Sequence, residues 1–263
     1  MRTLPNGLMV ESLNRYETDY LYRQIFVESV YGSRESLNLP PSPLVVDVGA
    51  NIGMFALFAK HHWPAARIFA FEPIHDVFEA LLKNVGNFPG SMTFNVALGD
   101  AREQRRMTFY PRFSIMSGFL ADPDSDRAVA RSYIEQLALE LPPIQREILL
   151  DGADDLLEGR FSPTSITCDV ERLADITAIH GLERIDLLKV DVEGHELAVL
   201  NGIGSVWPMI DRVVVEVDAR AQTTDTIVDL LHAHDLRTEI RPVRHSGAEV
   251  MCIVSAFRSD LQR

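Results

Sequence analysis

A glycine-bearing turn between an apolar strand and a helix constrains this chain more than any other feature. Leu44-Val45-Val46 leads into Asp47-Val48-Gly49-Ala50-Asn51-Ile52-Gly53, and Met54 to Lys60 follows with helical character. A strand, tight turn and helix in that order present backbone N–H groups and a strand-end carboxylate to a small ligand. The glycine spacing selects among ligands. A dinucleotide turn puts its middle glycine where the backbone must approach a pyrophosphate. Here Asn51 stands at that position and the last glycine comes two residues later, which disfavours a nicotinamide or flavin oxidoreductase. A ligand with an amine, a ribose and an adenine but no phosphate fits better, and S-adenosylmethionine is such a ligand.

The next strand supports this. Arg67-Ile68-Phe69-Ala70-Phe71 ends in Glu72-Pro73. In a doubly wound sheet, an acid roughly 20 residues beyond the glycine turn accepts hydrogen bonds from the ribose hydroxyls. Pro73 stops the strand because it has no N–H for a ladder.

Composition narrows the class. At 263 residues and 46% hydrophobic side chains, the chain can bury one full-sized α/β core. Its net charge of −13 argues against a nucleic-acid substrate, which calls for a large basic face. No apolar run is long enough to span a bilayer, and the opening residues Met1 to Pro5 read as no signal peptide. A cytoplasmic protein is expected. Cys168 and Cys252 lie in apolar strand-like runs and read as buried small hydrophobes rather than a disulfide.

The pattern predicts an α/β, Rossmann-like fold with about seven mostly parallel strands, an N-terminal cap over residues 1–43 and a main domain over 44–263. In the cap, a short strand at Leu8–Val10 precedes a helix over Thr18–Tyr31; Pro40-Pro41-Ser42-Pro43 marks the boundary. Strands are expected near Arg105–Tyr110 and Ser165–Val170. Between them, residues 119–163 read as a helical insertion acting as a lid.

The densest polar group follows Leu188-Lys189-Val190: Asp191-Val192-Glu193-Gly194-His195-Glu196. Ligands of open α/β sheets bind beyond the carboxyl ends of the strands. Asp191 and Glu193 share a face while the chain stays extended, and Gly194 can re-aim His195. Glu216 sits inside the apolar run Val213 to Val217, where a lone carboxylate is costly unless paired. An alcohol needs a base or a metal to become a nucleophile near neutral pH. His195 is the expected base, oriented by Glu193 or Glu216. Mg²⁺ on the neighbouring acids is the alternative, and a helix-terminal histidine of structural use is the plain one.

DVGANIG at 47–53, FEP at 71–73, NVALGD at 95–100 and LLKVDVEGHELAVLNG at 187–202 together resemble the FkbM family of S-adenosylmethionine-dependent methyltransferases. The resemblance runs from about residue 5 to 256. The opening LPNGLMVESLNRYETDYLYRQIF and FYPRFSIMSGF at 109–119 resemble the O-methyltransferase domains of modular polyketide and nonribosomal peptide synthases. The resemblance implies a hydroxyl substrate, often the β-hydroxyl of a chain tethered to an acyl carrier protein. A free small-molecule or sugar hydroxyl is the alternative, and a non-catalytic carrier-docking module a further one. It also implies that Asp47, Gly49, Asn51 and Gly53 form the cofactor loop and that Glu72 binds the ribose. Asn95, Val96 and Ala97 would flank the adenine, and Ser117 would approach the methionine end, with Asp191 a further cofactor-binding residue. Arg102, Arg105, Arg106 and Arg112 cluster in sequence and are candidates for carrier docking.

Overall fold

The protein is described by a computed structural model covering residues 1–139, 141–218, 223–245 and 248–258. The C-terminal 259–263 of the expected main domain and residue 140 of the expected lid lie outside the described residues.

Among the described residues the strands are, in chain order, β1 (Arg2–Thr3), β2 (Met9–Val10), β3 (Leu44–Val48), β4 (Arg67–Phe71), β5 (Met92–Phe94), β6 (Ala97–Leu98), β7 (Glu103–Phe109), β8 (Thr164–Glu171), β9 (Leu187–Val190), β10 (Arg212–Asp218), β11 (Leu236–His245) and β12 (Ala248–Arg258). Seven form one sheet in the order β11-β12-β10-β9-β3-β4-β5. Neighbours from β5 to β10 run parallel, whereas β12 lies antiparallel to both β10 and β11. Strand order reverses between β3 and β9, and that switch point is where an open α/β sheet binds its ligand. β3 is buried at every residue and β9 likewise, as expected of strands covered on both faces.

The helices are α1 (Arg15–Tyr22), α2 (Arg34–Leu37), α3 (Met54–His62), α4 (His75–Val85), α5 (Pro123–Leu139), α6 (Pro143–Asp151), α7 (Ala153–Leu157), α8 (Leu173–Ile179), α9 (Glu196–Asn201) and α10 (Thr223–Ala233). One apolar cluster packs α3, α4 and the cap against one side of the sheet, around Phe55, Phe58 and Leu81. A second packs α8, α9 and α10 on the other, around Leu188, Val199 and Leu231. No helix among the described residues is long and apolar enough to cross a membrane. Cys168 and Cys252 are buried and unpaired.

Two expectations change. The runs near Arg105–Tyr110 and Ser165–Val170 are strands, but they leave the main sheet and form a separate three-stranded one, β6-β8-β7. Their partial burial explains this: β7 and β8 alternate exposed and buried residues, the pattern of a one-sided antiparallel pair. In the cap, Asn14 accepts from Tyr16 N–H and starts α1, which continues as a wide turn over Arg23–Val27 and then stops. Tyr31 therefore lies beyond the helix, in a strap that crosses toward the sheet. Arg241 on β11 donates to the carbonyl of Val30 and anchors it.

The insertion holds α5, α6 and α7 between β7 and β8. It carries its own small core of Tyr110, Ala130, Leu157 and Phe161.

Candidate functional site

The site is built where the turn after β3 meets the end of β9. Gly49 has φ +72°, and a Cβ there would sit 1.8 Å from the carbonyl oxygen of Asp191. Two backbones therefore touch where any side chain would separate them, which only glycine permits. Asn51 also adopts a positive φ of 48°. Gly53, at φ +88°, starts α3 where a Cβ would strike Val85 and Leu81 of α4.

Beneath this turn lies a buried charge network. Lys189, 3% exposed on β9, donates to the Gly49 carbonyl at 2.9 Å and lies 3.2 Å from Asp47 Oδ1 and 3.4 Å from Asp191 Oδ2. Burial works against its charge, yet Asp47 and Asp191 outweigh that and hold its pKa above the usual lysine value. Asp47 has 0% exposure and its pKa is raised by burial, with Lys189 opposing. The Asp47–Lys189 contact is an ion pair without hydrogen-bond geometry, and Asp47 Oδ2 has no partner.

Tyr31 joins the network from the cap. Its phenol oxygen lies 2.8 Å from Asp191 Oδ2 and 2.8 Å from Glu216 Oε2. The ring packs edge-on against Phe55, with centroids 5.4 Å apart. Burial, with Asp191 and Glu216 beside it, drives the phenol pKa well above 10, so it stays protonated. Burial and the nearby Asp191 also push Glu216 up to about 8. The carboxylate expected to need a partner inside β10 thus has one, 185 residues away in sequence.

Glu72 occupies the end of β4 as expected. Its two oxygens accept from Ile74 N–H at 2.9 Å and from Asn51 N–H at 3.0 Å. Burial pushes its pKa up to about 7, against the two backbone donors. Each oxygen keeps a lone pair for a further donor. Asn95 donates to the carbonyls of Glu72 and Pro73 at 2.9 and 3.1 Å. Its amide N–H groups therefore fix the Glu72 turn instead of standing free for an adenine edge. Val96 follows half-buried, and Ala97 pairs with Val170 in the small sheet.

The Ser117 hydroxyl accepts from Tyr110 N–H at 3.0 Å. Ser114, three residues earlier, is the serine that reaches the glycine turn. It receives a long contact from Asn51 Nδ2 at 3.4 Å and donates to buried Glu17 of α1 at 2.6 Å. Burial raises the Glu17 pKa, with the Ser114 hydroxyl opposing.

The expected orientation of His195 by Glu193 or Glu216 is not formed. His195 is 6% exposed, its Nε2 has no hydrogen-bond partner, and its ring lies 4.6 Å from Phe119 at a tilt. Among the described residues, no hydrogen bond joins it to either acid. Glu216 is engaged by Tyr31, and Glu193 sits in the turn at φ 50°. That turn re-aims the chain, so Asp191 and His195 leave β9 in different directions. Burial, then Arg105, pull the His195 pKa below its ordinary value, which keeps the ring neutral at pH 7. Burial, then Asp191 and Glu216, hold Glu193 well above the usual carboxylate range. Glu196 shapes the loop by accepting from Gly194 N–H at 2.8 Å.

The four arginines do not form one patch. Arg102 pairs with Glu171 at 3.1 Å, and Arg105 lies half-buried over the Phe119 ring at 4.9 Å. Arg106 faces outward, and Arg112 lies near Gly159. Alternation along β7 splits Arg105 from Arg106.

Sequence reasoning missed Lys189, Tyr31, Ser114 and Glu17 as site residues. Lys189 had a readable signal, a lone cation inside the apolar β9. Tyr31 had none beyond its aromatic character. Among the described residues, no group of three or more His, Cys, Asp or Glu side chains is arranged to hold a metal ion.

An orphaned carboxylate oxygen, a glycine turn closed to side chains and a strand-end acid with free lone pairs fit S-adenosylmethionine. Comparison with known proteins agrees. AMB antimetabolite synthetase AmbE of Pseudomonas aeruginosa is 38% identical over 90% of this chain, and the match spans 11% of that protein's length. The 31-O-demethyl-FK506 methyltransferase FkbM of Streptomyces tacrolimicus is 37% identical, covering 88% of this chain and 86% of its own. The hexuronic acid methyltransferase AglP of Haloferax volcanii is 27% identical over 74% of this chain and 63% of its own. The profile of the methyltransferase FkbM domain matches residues 47–238, and the chain belongs to that family of S-adenosylmethionine-dependent enzymes.

Proposed function

We propose that this chain methylates a hydroxyl, and that the hydroxyl is the β-hydroxyl of an acyl chain tethered to a carrier protein in natural-product biosynthesis. The observation that carries the hydroxyl reading is His195, a neutral buried imidazole with an unpartnered Nε2 just beyond the β9 end. Bound S-adenosylmethionine supplies an electrophilic methyl group on a sulfonium. An alcohol attacking it must lose a proton, and a neutral imidazole takes one readily. With no carboxylate to orient it, the ring packs against Phe119, and an acceptor would reach the buried Nε2 only after a neighbouring segment moves. Asp47, Gly49 and Asn51 would hold the amino-acid side of the cofactor, Glu72 the ribose, and the Val96–Ala97 backbone the adenine.

The tethered substrate is supported by AmbE, a synthetase in which the matching segment is a small fraction of the whole. A free acceptor is the second reading, because the names of the Streptomyces and Haloferax relatives specify an O-demethyl compound and a hexuronic acid. One experiment separates them. The purified chain is given S-adenosylmethionine with a β-hydroxyacyl chain on a carrier protein, or with the same chain on a small thioester, and methylation is followed by mass spectrometry. Faster methylation of the carrier-bound chain supports the proposal; equal rates leave only the hydroxyl reading standing, and methylation of neither rejects both.

A further inference from the structure

Tyr31 lies 2.8 Å from a carboxyl oxygen of Asp191 and 2.8 Å from one of Glu216, yet a phenol has a single hydrogen. Both contacts can be hydrogen bonds only if one carboxyl group carries a proton and donates to the phenol oxygen. Asp191 already shares Oδ2 with the Lys189 ammonium, so the proton belongs on Glu216. The elevated pKa of Glu216 agrees. The chain of donors then runs one way, from Glu216 to Tyr31 to Asp191 Oδ2.

The charges count to a remainder. Lys189 is one cation between two carboxylates, Asp47 and Asp191. Asp47 is fully buried with Oδ2 unpartnered, and among the described residues nothing engages Asp191 Oδ1. One negative charge beside the Gly49 turn is left without a match. Asp47 is fully buried whereas Asp191 is 24% exposed, so the remaining charge lies on the side of the network open to a ligand, and an ammonium there would pair with it.

We propose that Tyr31 and Glu216 are positioning residues: by occupying Asp191 Oδ2 they hold that carboxylate with Oδ1 turned to the amino-acid end of the cofactor. This rests on the cofactor reading above. The N-terminal strap thereby becomes part of the binding site, because Tyr31 arrives from outside the sheet to complete it.

The test is isothermal titration of the full chain with two probes. S-adenosylhomocysteine carries the amino-acid end, and 5′-methylthioadenosine lacks it. Tyr31→Phe keeps the ring on Phe55 and removes only the hydroxyl; it should weaken S-adenosylhomocysteine about tenfold and change methylthioadenosine less than about twofold. Glu216→Ala should do the same. Glu216→Gln should restore wild-type affinity, because its amide N–H replaces the carboxyl proton. In an Asp191→Asn background, Tyr31→Phe should add nothing, a coupling that a loss of folding would not reproduce. Equal weakening of both probes by Tyr31→Phe would overturn the proposal, and so would Glu216→Gln as damaging as Glu216→Ala. Failure of the wild type to bind either probe would instead reject the cofactor reading itself.

Discussion

Lys189 Nζ donates to the carbonyl oxygen of Gly49 at 2.9 Å across 140 residues of sequence, tying the central strand β9 to the glycine turn. The same ammonium balances Asp47 and Asp191. Removing one partner of a buried ion pair leaves an uncompensated charge. Lys189→Met should therefore destabilise the fold by about 3–5 kcal/mol in denaturant titration. A variant within about 1 kcal/mol of wild type, on the order of a surface change, would show that the network contributes little.

Gly49→Ala should be nearly as severe. The new Cβ would overlap the Asp191 backbone oxygen, at a φ that L-residues rarely adopt. The expected loss is on the order of 3 kcal/mol in urea unfolding, combining left-handed strain with overpacking. An alanine variant that unfolds like the wild type and binds S-adenosylhomocysteine normally would contradict the close approach.

Cofactor binding should depend on pH through Glu72. Burial places its pKa at about 7, and the ribose hydroxyls need the ionised form as acceptor. The ionised fraction rises from about a tenth at pH 6 to about nine-tenths at pH 8, so S-adenosylhomocysteine should bind about tenfold tighter at the higher pH. Glu72→Ala should cost about 1–3 kcal/mol of binding and flatten this dependence. A steep pH dependence surviving in Glu72→Ala would assign it to another group.

His195→Ala should lower kcat by about 10²- to 10⁴-fold while S-adenosylhomocysteine still binds. The neutral ring is the active form and its pKa is lowered, largely by burial. With cofactor saturating, so that the Glu72 titration does not enter, kcat should thus rise with pH through a midpoint below the usual histidine value of about 6.5. Full turnover in His195→Ala would remove it from the mechanism.

The insertion should behave as a lid. Phe119 lies on His195, and Leu120 lies beside Gly194. Hydrogen exchange across 119–163 should slow when cofactor and acceptor analogue bind together. Exchange that ignores both ligands would make the three helices decoration.

The geometry proposed to hold the cofactor was legible in sequence because it is local. Asp47 to Gly53 must be one strand end and one turn, and Glu72 must end the next strand; short-range backbone geometry decides both. The polar cluster after β9 was legible in residue type only. Asp191, Glu193 and His195 are adjacent in sequence, but Glu193 takes a positive φ and Gly194 one of +93°, so their side chains diverge. The alternation that would have put Asp191 and Glu193 on one face holds only for extended chain. β7 shows the same limit: four nearby arginines look like a patch until the strand's two faces separate Arg105 from Arg106.

By itself, the sequence determined the strand order's raw material, the glycine turn, the acid that ends β4 and the family, because hydrophobic periodicity and turn chemistry act over a few residues. Only the tertiary structure decided that Tyr31 meets Asp191 and Glu216, that Ser114 rather than Ser117 reaches Asn51, and that Lys189 balances two acids. Those partners are separated by up to 185 residues. Such a meeting is fixed by how the cap strap and the strands β9 and β10 pack around one core, and no local pattern records the distance between them.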